Sequence, residues 1–134
     1  MPKEIITSAT APTTGFTDNA TPSPLAQGIK WGNMMFVSGQ GPLNPETKVV
    51  VSEDIQEQTR QTLSNLLGVL AAAGATFANV VNMRVCLRDP GDFPKFNEAF
   101  TEFMQGEKVT RTCIGGTPHR TGVNVEIDCV VMFD

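Results

Sequence analysis

Two segments near the C-terminus carry residues suited to chemistry: Thr110-Arg111-Thr112-Cys113 and, fifteen residues after the arginine, Val125-Glu126-Ile127. An arginine beside a carboxylate can line one small pocket, or can simply form an ion pair. Both segments lie in β-type runs, and between them Thr117, Pro118, His119, Arg120, Thr121 and Gly122 supply turn chemistry. The pattern predicts a hairpin from Val109 to Phe133. Closed about Pro118 and His119, it would set Arg111 opposite Glu126 and Cys113 opposite Asn124, with opposed Cβ atoms roughly 5 Å apart. On these two residues alone, a cross-strand salt bridge and the lining of a small pocket are equally good readings.

A longer set of residues separates them. The two segments, together with Trp31-Gly-Asn-Met-Met-Phe-Val-Ser-Gly-Gln-Gly-Pro-Leu-Asn-Pro45, the helical run with Gln58, Thr59, Arg60 and Asn65, Ala73-Gly74-Ala75, and Asp92-Phe93 with Asn97, resemble the reactive intermediate deaminase family. Its members are also labelled RidA, YjgF or L-PSP endoribonuclease proteins. The resemblance covers nearly everything after Pro24. It implies hydrolysis of enamines and imines of 2-keto acids, such as 2-aminoacrylate and 2-iminobutanoate, to the keto acid and ammonia, without a cofactor. Arg111 matches the family's carboxylate-binding arginine and Glu126 the acidic residue that handles water or a proton. Ser38, Gly39, Asn97 and Cys113 match positions lining or supporting the pocket. The family also implies a homotrimer with a central β-barrel and sites at the subunit interfaces.

One departure stands out. Where relatives carry an aromatic residue, commonly tyrosine, this chain has Leu25 after Ser23-Pro24, and it contains no tyrosine at all. The Thr10 to Ser23 segment is also longer than in typical relatives, with Phe16 as a candidate apolar wall. These differences leave room for a larger enamine acid such as an aminomuconate. A carboxylate-binding or chaperone-like trimer without turnover is the alternative from another class.

Elsewhere the residues mostly exclude. A length of 134 residues suits one domain, 1–134, large enough to bury a core without disulfides or metal. A net charge of −4 with no basic run argues against nucleic acid held by its phosphates. No apolar stretch is long enough to span a membrane, and Met1 to Ser8 resembles no targeting segment, so a cytoplasmic location is expected. The three cysteines, Cys86, Cys113 and Cys129, fit neither a disulfide framework nor a zinc spacing, and His119 is the only histidine, so no metal is expected. Cys113, in the middle of a strand, lacks the base or helix N-terminus that a nucleophilic thiolate needs.

The elements that must position these residues follow from periodicity. Glu4–Ser8, Gln27–Trp31 and Met34–Gly39 read as strands, the last two joined by a Gly32-Asn33 turn. Apolar residues at helical spacing predict a helix from Ser52, as N-cap, to Ala73, stopped by Gly74. Val80 to Arg88 alternates as a strand, with Val81, Met83, Val85 and Leu87 on one face. A second helix starts after an Asp92 cap and buries Phe93, Phe96, Phe100 and Phe103. The class is α+β: a mixed six-stranded sheet with both helices on one face, the chorismate-mutase-like or YjgF fold. Met34, Phe36, Val130 and Met132 would make the other face apolar enough to need a cover.

Overall fold

The computed structural model describes residues 2–12 and 24–134. The expected contribution of Phe16 falls outside them. Among the described residues there are six strands: β1 (Glu4–Ile6), β2 (Gly28–Trp31), β3 (Met34–Gln40), β4 (Val80–Leu87), β5 (Thr110–Gly115) and β6 (Val125–Met132). Helix α1 spans Ile55–Ala72 and α2 spans Phe93–Met104. The strands form one mixed sheet in the order β1-β2-β3-β6-β4-β5, in which only β4 and β5 run parallel.

The α+β reading holds, but the C-terminal hairpin does not. β5 pairs with β4, and β6 lies on the other side of β4, between it and β3. Burial explains the order. On one face of β6, Val125, Ile127, Cys129 and Val131 are 0–2% exposed, the pattern of a central strand. β5 has no residue buried to that degree and sits at the edge. Between β4 and β5 runs α2, so these three elements form a strand–helix–strand crossover, the connection that parallel neighbours require.

Local starts and stops differ in detail. The α1 N-cap is Asp54, two residues later than expected: the Asp54 carboxylate accepts from Glu57 N at 2.9 Å, whereas Ser52 Oγ accepts from Asp54 N at 3.1 Å and shapes the approach. Asp92 stands at the α2 N-cap without a side-chain bond. Capping falls instead to Asp89, whose Oδ1 accepts from Gly91 N at 2.8 Å in a 3-10 turn, Pro90–Asp92, that leads into the helix. Gly32 and Gly74 take positive φ at the β2–β3 turn and after α1, as their sequence positions suggest. A register irregularity between Val80 and Asn82 turns Val81 outward, and Val80 joins the core in its place.

α1 packs on β3 and β6, with α2 against α1. Leu63, Leu66, Val69 and Leu70 of α1 and Phe96 of α2 are completely buried with Met35, Met83 and Ile127 of the sheet. Of the four expected phenylalanines, Phe96 and Phe100 are buried, Phe103 partly, and Phe93 is 38% exposed. The opposite sheet face carries Ile5, Trp31, Phe36 and Ile114, each more than half exposed. Among the described residues, no helix is long and apolar enough to cross a membrane.

Candidate functional site

Arg111 lies on β5 in register with Met83, which is completely buried, so its side chain belongs to the helix-bearing face of the sheet. The crossover lays α2 over it. The guanidinium carbon sits 4.7 Å from the ring centre of Phe100, 5.5 Å from Phe96 and 5.6 Å from Phe93, and Nη1 donates to Asn97 Oδ1 at 2.9 Å. Three ring faces and one carboxamide therefore hold a half-buried cation in place. Among the described residues no carboxylate pairs with it, whereas Arg84 pairs with Asp128 at 3.0 Å. The charge on Arg111 is thus oriented by neutral groups, which leaves N–H donors for an anion.

Glu126 stands elsewhere. It is in register with Cys86 on the opposite face of the sheet, together with Arg84, Asp128 and Phe36. Its carboxyl group lies against Gly39: a Cβ at Gly39 would be 3.1 Å from the Glu126 carboxyl carbon and 3.3 Å from Oε1. Gly39 falls where the β3–β6 register is irregular, between Val37 and Gln40. The adjoining Ser38 Oγ donates to Ala26 O at 2.6 Å, which ties this strand to the segment carrying the 57% exposed Leu25.

The candidate residues therefore fall into two groups. Arg111, Asn97 and Cys113 belong to the β5–α2 side; Glu126, Ser38 and Gly39, with Leu25 close in sequence, belong to the β3–β6 side. The expected opposition of Arg111 to Glu126 and of Cys113 to Asn124 is overturned, because β4 intervenes. Arg111 opposes Met83 and Cys113 opposes Val85. Strand spacing and a three-residue offset put the Cα atoms of Arg111 and Glu126 roughly 14 Å apart.

The cysteines are free. Burial pushes the Cys113 thiol above its ordinary range; nearby Arg111 pulls it down by less, and Cys86 adds to the rise. A thiol held protonated is a poor nucleophile, in keeping with its place in mid-strand. Burial, and then the charge of Glu126, raise the Cys86 thiol as well. Among the described residues no three His, Cys, Asp or Glu side chains are grouped to hold a metal ion.

Two features were not read from the sequence. The aromatic seat of Arg111 was visible only as a helical stripe of phenylalanines, whose spacing shows a buried face without saying what lies on it. Gln58 and Asn65, both buried in α1, were noticed only as parts of a pattern.

Comparison with known proteins agrees with this architecture. Residues 17–133 match a family model described as Endoribonuclease L-PSP. The chain is 38% identical over 117 residues to a RutC family protein of Pyrococcus horikoshii, covering 86% of this chain and 93% of that one. It is 29% identical over 133 residues to a 2-iminobutanoate/2-iminopropanoate deaminase of Dermatophagoides farinae, covering 99% and 98% of the two chains. The fold is similar to a crystal structure of E. coli TdcF with bound serine, at a TM-score of 0.86, 29% identity and coverage of 98% and 99%.

Proposed function

The chain belongs to the Endoribonuclease L-PSP family and is similar to a protein named as a 2-iminobutanoate/2-iminopropanoate deaminase, and on that basis we propose that it hydrolyses enamine and imine intermediates to 2-keto acids and ammonia. The observation that carries the proposal is Arg111, a half-buried guanidinium oriented by Asn97 and three phenylalanine faces and left without a carboxylate partner among the described residues. A planar fork so held suits the carboxylate of a small acid.

In the proposed reaction the 2-imino acid binds through its carboxylate to Arg111. A water oxygen adds to C2 of the iminium while Glu126 accepts the water's proton, giving a carbinolamine. Glu126 then returns a proton to nitrogen, the C–N bond breaks as the carbinol hydroxyl gives its proton back to Glu126, and ammonia leaves as C2 becomes a ketone. No redox step or cofactor is required. Since Arg111 and Glu126 occupy opposite faces of one sheet, the reading needs a site built between copies, with Arg111 from one and Glu126 from its neighbour. A homotrimer joined through the apolar face of Trp31 and Phe36 meets that need. Ribonuclease chemistry has weaker support: the net charge is −4 and the single histidine, His119, is exposed.

The test is coupled turnover. Added to a threonine dehydratase reaction with semicarbazide as competitor, the protein should accelerate release of 2-ketobutyrate. Mixing inactive Arg111→Ala and Glu126→Gln chains under subunit exchange should restore activity, because some interfaces then hold both groups intact. Absence of acceleration refutes the deaminase reading; failure to complement refutes the shared site. Light scattering that shows a monomer at micromolar concentration would refute the trimer.

A further inference from the structure

We infer that Gln58 is a positioning residue for Glu126, fixing the entry of β6 and through it the place of the carboxylate; the inference rests on the deaminase reading above. Gln58 and Asn65 lie seven residues apart on the inner face of α1 and are 0% and 1% exposed. A carboxamide buried among leucines is unfavourable unless its polar atoms are bonded. Each donates to carbonyls of irregular backbone, and these include the segments next to Gly39 and Glu126 in the chain.

Gln58 Nε2 donates to Ser52 O at 2.8 Å and to Gly122 O at 2.9 Å, while its Oε1 accepts from Asn124 N at 2.8 Å. Asn65 Nδ2 donates to Gly41 O and Leu43 O, both at 2.9 Å, and its Oδ1 accepts from Gln61 Nε2 at 2.9 Å. One amide thus holds the chain entering β6 and the other the chain leaving β3. The two held segments also adjoin each other, since a Cβ at Gly41 would stand 3.7 Å from Val123 Cγ1.

The bond to Asn124 matters most. Asn124 is clasped on its other side, where its carbonyl accepts from Arg88 N at 3.0 Å, and only the fully buried Val125 separates it from Glu126. Successive strand residues alternate between faces, so the register at Asn124 decides whether Glu126 reaches the Gly39 side. An apolar residue at 58 would fill the helix–sheet interface but would leave three backbone groups of these segments without their partner. The carboxamide therefore couples α1 to the site as well as to the core.

The inference is tested on the full chain with Gln58→Met and the milder Gln58→Asn, whose amide falls short by one methylene. Turnover of 2-iminobutanoate generated in place should fall roughly ten- to hundredfold in Gln58→Met and by less in Gln58→Asn, in line with sub-ångström misplacement of a reacting group. The affinity for 2-ketobutyrate, which reports the Arg111 half, should stay within about twofold of the parent, and the kcat–pH profile should shift. A folded Gln58→Met with parental kcat and pH profile overturns the inference. So does a parallel loss of ketobutyrate affinity, which would mean general loosening, and so does failure of both variants to fold, which would assign Gln58 to stability. An inactive parent protein sinks the deaminase reading along with it, whereas an active parent with unaltered variants sinks this inference alone.

Discussion

Arg111 and Glu126 occupy opposite faces of the sheet, on strands separated by β4 and three register positions apart. A structural salt bridge within one chain is therefore ruled out as the reason for this pair, and the two side chains should be separable by mutation. Arg111→Ala should abolish 2-ketobutyrate binding and turnover together, since a charge-assisted bond contributes roughly 1.5–3 kcal/mol. Arg111→Lys should restore little, for want of the planar fork. Asn97→Ala removes the carboxamide that orients the guanidinium but leaves the charge itself in place, and should weaken affinity less than Arg111→Ala does. Glu126→Gln should keep ketobutyrate affinity and lose about a hundredfold or more in turnover. Calorimetric titration with steady-state kinetics checks all four, and parallel losses in Arg111→Ala and Glu126→Gln would count against separate roles.

Gly39 provides an independent probe of the carboxylate. In Gly39→Ala the new methyl would stand 3.1–3.3 Å from the Glu126 carboxyl group, so that side chain must shift by a few tenths of an ångström. Turnover should fall about tenfold with keto-acid affinity unchanged. Equal turnover in the variant would show that Glu126 does not need its present position.

The cysteines make a prediction about pH. The Cys129 thiol is pushed by burial from an ordinary value near 9 up to about 12, with a smaller push from Asp128. The folded state therefore binds a proton that the unfolded state releases above pH 9. Stability from this group is fully present below pH 9 and is lost as pH rises to about 12, by an amount on the order of 4 kcal/mol. Denaturant melts at pH 8 and pH 11 should show this decline, and Cys129→Val should reduce it. Cys113→Ala, in contrast, should leave turnover within about threefold, because its raised thiol is unsuited to attack.

The family resemblance implies an aromatic residue, commonly tyrosine, at the place of Leu25, which is 57% exposed beside the segment tied to Ser38. Leu25→Tyr should raise turnover of the smallest imino acids relative to larger ones by supplying a hydroxyl near the Ser38 side. Competition kinetics between 2-iminopropanoate and a longer imino acid measures the ratio, and an unchanged ratio would remove this position from specificity.

The sequence by itself determined the helices and strands whose cause is local, though not the short 3-10 turns Phe77–Asn79 and Pro90–Asp92. Helical spacing of Ile55, Leu63, Leu66 and Leu70, alternation in 125–133, the Gly32-Asn33 turn and the stop at Gly74 act over a few residues, and each is present in the structure. Cap identity was less legible, since Ser52 and Asp54 are both good caps and only the path of the chain into α1 chose between them. Parity along a single strand was also legible: Arg111 and Cys113 share a face, whatever their neighbour. What tertiary structure alone decided was which strands pair. Alternation in β5 and β6 is satisfied equally by a hairpin and by two strands on either side of a third. The choice came from burying one whole face of β6 at the centre of the sheet and from the α2 crossover that carries β5 to the edge. That choice placed Arg111 under three phenylalanines and Glu126 over Gly39, so the partition of the site follows from burial summed over the whole sheet, which no local window of sequence contains.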